Sequence, residues 1–360
     1  DHGAVDIRDN ANITSTQQVL IDHVTLYNFN TKDWYGGFMI YQSANATISN
    51  CIVSNPADLS GKNGYHVYGN AVVTNSLYNN CNITSGAQQT ANINADPMFV
   101  DAANGDFMLY AESPAIGMGD PCWGVKPGIQ PGSGKLKAAV NAAQAGATIE
   151  LGDGIYEEPS SIDFNKEGLT IKAAEGTKPV VKASSYLKHN ATTTFIGITF
   201  DGQDVAEYTT YSYKTDTEKD LTFINCEFKN YTKSCVTIGD GGANVRNLLV
   251  DGCTFDGGSK TPAAIKSSGI ISACDIKDSE IKGYTEYGFA ANSSSAHTEE
   301  LSIDNTIIHD CGASAIYVTT AANGKDKQSC SSFELTNSTI YNIGNNTKDH
   351  GAVDIRDNAN

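Results

Sequence analysis

The chain has 360 residues, 40% hydrophobic and 18% charged, a composition that excludes disorder and collagen and fits one long or two ordinary globular domains. Its 24 Lys and Arg against 41 Asp and Glu give a net charge of −17, which argues against a nucleic-acid partner and would repel a polyanion unless a local cation or a metal ion intervened. No run approaches the ~20 apolar residues of a membrane span, and the sequence from Asp1 reads as a mature or truncated piece without a signal peptide.

The first element in the chain is a duplication. Asp1 to Asn12 read DHGAVDIRDNAN, and the same twelve letters return as Asp349 to Asn360, a period of 348. A phrase of the form apolar-x-apolar-x-Asn-small-x-apolar follows, as VLIDHVTL from Val19, ATISNCIV from Ala46 and AVVTNSLY from Ala71. Asp96 to Gly119 break that phrase with their own turn signals and read as a cap, and Asp120 to Gly134 read as a Pro/Gly-rich linker. Lys135 to Ala145 put Leu136, Val140 and Ala143 on one helical face, with Gly146 as the stop, and read as a second cap leading into a strand at Ala147 to Leu151. The phrase then resumes as LTFINCEF from Leu221, LLVDGCTF from Leu248, CDIKDSEI from Cys274, LSIDNTII from Leu301 and FELTNSTI from Phe333.

Period-two apolar spacing in each phrase predicts two strands, and the fifth residue is a tight turn where left-handed geometry is cheap for Asn, Asp or Gly. A third strand follows in each unit, as in CVTIG, AAIKS, GFAAN, AIYVT, AVDIR, GFMIY and YHVYG. The expected fold is all-β, a single-stranded right-handed parallel β-helix with three short strands per coil and a short capping helix. A leucine-rich-repeat horseshoe is the runner-up, but it needs a Leu-rich consensus and a helix in each repeat.

The C-terminal cap precedes the N-terminal cap, so the order is rotated: 1–119 form the last coils and cap, 120–134 the linker, and 135–360 the cap helix and first coils. The duplication is the splice point of either a circular permutant, in which the two copies compete for one slot, or a window across tandem copies. Cys51, Cys226 and Cys253 share the small sixth position of the phrase and read as core thiols. Cys235, Cys274, Cys311 and Cys330 leave a single bridge open.

Residues alternating with the apolar ones in the third strands should form a flat outward sheet. The expected pairs are Thr237/Gly239, Ala264/Lys266, Ala290/Asn292, Tyr317/Thr319, Asp354/Arg356, Met39/Tyr41 and His66/Tyr68. Aromatic rings, a carboxylate, cations and a histidine on one face suit a sugar chain. The ordinary readings stand beside this one: an Asp354–Arg356 surface pair, a stabilising ladder of Tyr317, Tyr41 and Tyr68, and solvated side chains at His66 and Lys266. Extra length after the strands bearing Tyr317 and Arg356, as AANGKDKQSCSS and NANITSTQQ, is expected to wall the face. The polar excursion Asp201 to Asp220, with Tyr208, Tyr211 and Tyr213, reads as a surface loop.

The segments ATIELGDGIYEE, LTIKAAEGTKPVV, TTTFIGITFDG and DPMFVDAANGDFMLYAESPAIGMGDP resemble secreted right-handed β-helix proteins of the pectate-lyase-like superfamily, in particular the chondroitinase B/alginate lyase-like group and related gut-bacterial surface proteins of unknown function. The resemblance implies polysaccharide as partner and β-elimination on uronic-acid glycans, with calcium as cofactor, a lysine base and an arginine acid. By type and face these would be Lys266 and Arg356, about three coils apart, with Tyr317, Asp354, Tyr41, His66, Tyr68 and Asn292 binding substrate. No metal-ligand cluster of the group can be matched. A monomeric extracellular or cell-surface protein is expected, and the alternative is a non-catalytic glycan-binding or adhesin-like solenoid.

Overall fold

The structure, a computed structural model, describes residues 4–7, 18–29, 35–41, 45–59, 61–69, 71–84, 87–213, 217–239, 244–293, 296–319, 330–344 and 351–356. It is an all-β parallel β-helix with three strands per coil, and its α-helix among the described residues is Lys135–Ala142. Two compact units divide the chain, Asp1–Pro127 and Gly128–Asn360, and each sheet belongs to one of them.

In the second unit three eight-stranded parallel sheets form the walls of the coils. The first sheet aligns Leu221 with Leu248, Cys274, Leu301 and Phe333. These are the opening letters of the five repeated phrases, so the repeat of the sequence is one turn of the solenoid. The fifth residue of each phrase lies in the left-handed region, with φ of 52° at Asn225, 63° at Gly252, 51° at Asp278, 44° at Asn305 and 50° at Asn337. Short amide and carboxylate side chains tolerate that geometry and bond across coils, as Asn337 Nδ2 does to Asp304 Oδ1 at 2.7 Å.

The sixth position has a second reason to be small. Its side chain accepts a hydrogen bond from the backbone N–H of the same position one coil earlier: Cys253 N–H donates to Ser279 Oγ at 3.0 Å, and Thr306 N–H to Ser338 Oγ at 3.1 Å. Ser279 Oγ in turn donates to the Lys277 carbonyl at 2.7 Å. Cys and Ser both accept in this way, Cys253 Sγ taking the Cys226 N–H at 3.4 Å, so thiols and hydroxyls share the position. All nine cysteines are free thiols, and Cys235, Cys274 and Cys311 are buried without a bridge. Inside the coils aromatic rings stack along the axis, with Phe228 and Phe255 centroids 4.3 Å apart and nearly parallel.

Leu136 and Val140 of the cap helix seal one end of this core. Gly134 at the N-cap brings no side chain, so the strand Gly154–Glu158 supplies Glu158, whose carboxylate accepts from Leu136 N–H at 2.9 Å. The helix ends at Ala142, three residues earlier than expected, because Ala143 turns to ψ 153°.

The first unit repeats the three-sheet plan with four strands per sheet, and the antiparallel pair Phe99–Asp101 and Asp106–Tyr110 breaks the parallel pattern at the expected cap. Both copies of the duplication are strands. Val5–Ile7 pairs with Tyr35–Ile40 in the first unit, and Val353–Arg356 pairs with Ser314–Thr319 in the second. The two copies therefore occupy separate sheets. The segment 120–134 is not a free linker: Val125–Lys126 pairs with Asp106–Tyr110, and Ile129 bridges to Leu151.

Replacing Ser279 by Ala leaves the buried Cys253 N–H without an acceptor and should lower stability by about 1–3 kcal/mol, whereas Ser279→Cys should retain most of it. Denaturant unfolding of both variants checks this, and equal losses would show that the relay carries no energy.

Candidate functional site

Because the strands stack in register, each outward position forms a column along the solenoid. On the second sheet one column reads Glu157, Lys182, Asp201, Lys229, Asp256, Lys282, His309 and Tyr341. Its charges alternate in sign from coil to coil. The neighbouring column adds carboxylates, so that Lys229 meets Glu227 at 2.9 Å and Lys282 meets Glu280 at 2.6 Å. The first sheet carries Lys172 on Glu150 at 2.8 Å and Lys277 on Asp251 at 3.1 Å. Opposite charges on facing positions fix the register and leave little field for a ligand.

The third sheet departs from this scheme. Its column reads Asp163, Lys188, Tyr211, Thr237, Lys266, Ala290, Tyr317 and Asp354. Lys266 is exposed, flanked on the ladder by Thr237 and Ala290, and has no ion-pair partner among the described residues. It lines a cleft of about 310 Å³ together with Tyr208, Tyr211, Lys233, Glu286 and Tyr287. Asn292 lines the same cleft. Lys233 is held by Glu207 at 2.8 Å and lies 5.6 Å from the Tyr208 ring centre.

Tyr317 stacks on Tyr287 at 5.1 Å and 12°, over the buried Ala263 and Ala290. Asp354 is 8% exposed and receives Arg356 through two bonds of 2.7 and 2.6 Å. This is the Asp–Arg pair of the ordinary reading, with bidentate geometry. Lys266 and Arg356 are three ladder steps apart, ~14 Å at the usual strand spacing.

Tyr41, His66 and Tyr68 form a cluster in the first unit. The His66 ring lies 4.8 Å from Tyr68, its Nδ1 is 2.9 Å from Asn63 Nδ2, and its Nε2 is 3.5 Å from the Tyr41 hydroxyl. Burial pushes the His66 pKa down, which favours the neutral ring with Nδ1 accepting from Asn63. Arg8 and most of the two expected wall segments lie outside the described residues.

Seven of the residues expected to stand exposed on the outward face, Thr237, Ala264, Ala290, Thr319, Asp354, Met39 and His66, are instead buried. Ala264 is fully buried, because Cys235, Ala264, Gly288 and Ala315 turn inward at a corner, where a Cβ on Gly288 would strike Ala315 O and Ile308. Met39 and Ala290 follow the outward alternation but are covered. The excursion 201–220 is more than a loop, since Thr210–Ser212 is the third strand of its coil and aims Tyr211 outward. Its inward residues are Thr210 and Ser212, so no apolar alternation marked it. Lys233, Glu286 and Tyr287 had no sequence signal either, lying just before third strands or at their first residue.

Calcium needs six to eight oxygen donors. Among the described residues no three His, Cys, Asp or Glu side chains come together so as to hold a metal ion. Among the described residues no helix is long and apolar enough to cross a membrane.

Residues 19–123 match the model of a family described as a domain of unknown function (DUF5123). No curated protein matches. Among solved structures the chain is similar to one described as a PL6 family alginate lyase, AlyGC, at 15% identity and a TM-score of 0.38, covering 94% of this chain and 59% of that one. A variant of the same lyase matches at 14% identity and a TM-score of 0.38, covering 91% and 58%. The chain thus spans under two thirds of the length of these structures.

Removing Arg356 takes two hydrogen bonds from the nearly buried Asp354 carboxylate. A double-mutant cycle of Asp354→Ala and Arg356→Ala should show a small favourable coupling, because the guanidinium is exposed. A coupling near zero in thermal unfolding would leave the arginine available to a ligand.

Proposed function

We propose that the chain binds an acidic polysaccharide along the outward face of the third sheet of residues 128–360, with Lys266 meeting a carboxylate of the polymer. The observation that carries this reading is a cation with no ion-pair partner among the described residues. On the first and second sheets lysines such as Lys172, Lys229, Lys277 and Lys282 have a carboxylate beside them, whereas Lys266 stands between the uncharged ladder neighbours Thr237 and Ala290 in a cleft that Tyr208, Tyr211, Tyr287, Lys233 and Glu286 also line. A cation held this way in a protein of charge −17 supplies the local attraction that a polyanion requires. Tyrosine rings offer apolar area with a polar tip, suited to the two faces of a sugar. The reading places the protein outside the cell or on its surface, where such polymers are met.

Cleavage by β-elimination is the narrower form of the reading. It needs a base and an acid on one sugar ring, and Arg356 is ~14 Å from Lys266 and engaged by Asp354. A cleaving site would therefore pair Lys266 with a nearer proton donor, and Tyr211 and Tyr287 line the same cleft.

Calorimetry against uronate, sulfated and neutral polysaccharides, with and without calcium, tests the proposal. Lys266→Ala should weaken binding of the acidic polymer about ten-fold and leave thermal stability unchanged. Absorbance of an unsaturated product would identify elimination. If no polysaccharide binds, or if Lys266→Ala binds like the parent protein, the proposal fails.

A further inference from the structure

N-terminal to the Lys266 cleft, the same face carries four tyrosines in one cluster. Tyr211 and Tyr213 centroids are 4.8 Å apart, Tyr208 lies 5.3 Å from Tyr211, and Tyr186 lies 5.7 Å from Tyr211. The Tyr186 and Tyr213 hydroxyls are 2.6 Å apart. None of these rings is buried, and Tyr213 is 36% exposed. Tyr208 and Tyr211 also line the Lys266 cleft, so the cluster and the cleft share a boundary.

The backing of this cluster is unusual for an exposed loop. Two buried ionisable residues, Lys219 and His189, each make a bond to residues 212–213 of the segment that bears Tyr211 and Tyr213. Lys219 Nζ donates to the Tyr213 carbonyl at 2.5 Å. His189 Nδ1 is 2.8 Å from Ser212 Oγ, and Nε2 is 2.9 Å from the Asp220 carbonyl. The carbonyl requires a donor, so Nε2 carries the proton and Nδ1 accepts from the Ser212 hydroxyl. Burial brings Lys219 down to about 8, and burial together with the Lys219 charge brings His189 down to about 3. Such desolvation costs stability, and what it secures is the position of Tyr211–Tyr213. A third feature sets the ring itself: Gly239 faces Tyr211, and a Cβ there would collide with the Tyr211 ring. The glycine, which does not need a positive φ, leaves the space in which that ring lies flat across the adjoining strand.

We infer that Tyr186, Tyr208, Tyr211 and Tyr213 form a second sugar subsite, which takes the apolar face of a pyranose one or two units from the acidic unit held at Lys266. This rests on the glycan-binding reading and extends it with a direction, from Lys266 toward the cap helix, and with a length. Tyr211 and Lys266 are two ladder steps apart, ~10 Å at the usual strand spacing, so a ligand that uses both must be longer than one ring. The aromatic subsite has no charge requirement, because a ring face stacks on a neutral or an acidic pyranose alike, whereas Lys266 reads charge.

The test is calorimetry with an acidic oligosaccharide ladder of one to six units, on the parent protein and on Tyr211→Ala, Tyr208→Ala, Tyr211→Phe, Gly239→Ala and Lys266→Ala. Affinity should climb steeply between one and about three units in the parent. Tyr211→Ala, Tyr208→Ala and Gly239→Ala should flatten that climb and cost about ten-fold on the longer ligands while leaving the monosaccharide unchanged. Tyr211→Phe, which keeps the ring, should bind like the parent and controls for folding, and circular dichroism and thermal unfolding screen the others. If the parent and Lys266→Ala differ as expected but the length dependence survives in Tyr211→Ala and Gly239→Ala, the aromatic subsite is wrong and the Lys266 reading stands. If Lys266→Ala binds every oligosaccharide as the parent does, the Lys266 reading fails, and if the parent binds none, both fail.

Discussion

Parallel stacking in register is the constraint on which the rest of the structure depends. Each residue of a coil lies beside the same position of the coils before and after it, ~4.8 Å away, so a side chain is chosen against copies of its own position. Inward positions answer with stacked rings such as Phe200, Phe228 and Phe255. The turn answers with left-handed Asn, Asp and Gly, and the sixth position with thiols and hydroxyls that accept the backbone N–H of Cys226, Cys253 and Thr306. A slip by one residue along a strand would turn each of these sets to the wrong face.

The same constraint makes a mismatch informative. Like charges on facing strands repel, and alternating Glu157, Lys182, Asp201, Lys229, Asp256 and Lys282 meet that requirement on the second sheet. The third sheet gives up such matching between Tyr211 and Tyr317, where it carries aromatic rings, small residues and Lys266. Stability does not require that exchange. The surroundings of the face are nevertheless firmly built, with Tyr317 on Tyr287, Asp354 clamped by Arg356, and Lys219 and His189 tied behind the tyrosine strand. Rigid placement of a polar and aromatic surface is what recognition of a stiff polymer demands.

Much of the fold was legible because a solenoid writes its period directly into the sequence: the opening residues of the five phrases from Leu221 onward are the ones aligned in the first sheet. Lys266, Asn292 and Tyr317 were found by the period-two rule, and the structure sets Lys266 and Asn292 in one cleft. Legibility failed where the local rule failed. Ala264 turns inward at a corner that alternation does not anticipate, and Thr210–Ser212 has hydroxyls where a core strand normally shows apolar residues. Lys233 and Glu286 precede their strands, so only the three-dimensional turn brings them to the cleft. The separate placement of the two duplicate strands also depends on pairing partners, Phe38 for Val5 and Ile316 for Val353, that the twelve identical letters do not contain.

The central claim is that Lys266 is a cation open to a ligand, whereas Lys172, Lys229, Lys277 and Lys282 of the other sheets each have a carboxylate beside them. Amine-reactive footprinting read by mass spectrometry tests it most directly, comparing Lys266 with Lys282 in the free protein and in the presence of an acidic polysaccharide. The account predicts rapid modification of Lys266 that the polysaccharide suppresses, with slower modification of Lys282 that it leaves unchanged. Equal reactivity of the two lysines, or a Lys266 rate indifferent to the polysaccharide, would contradict it.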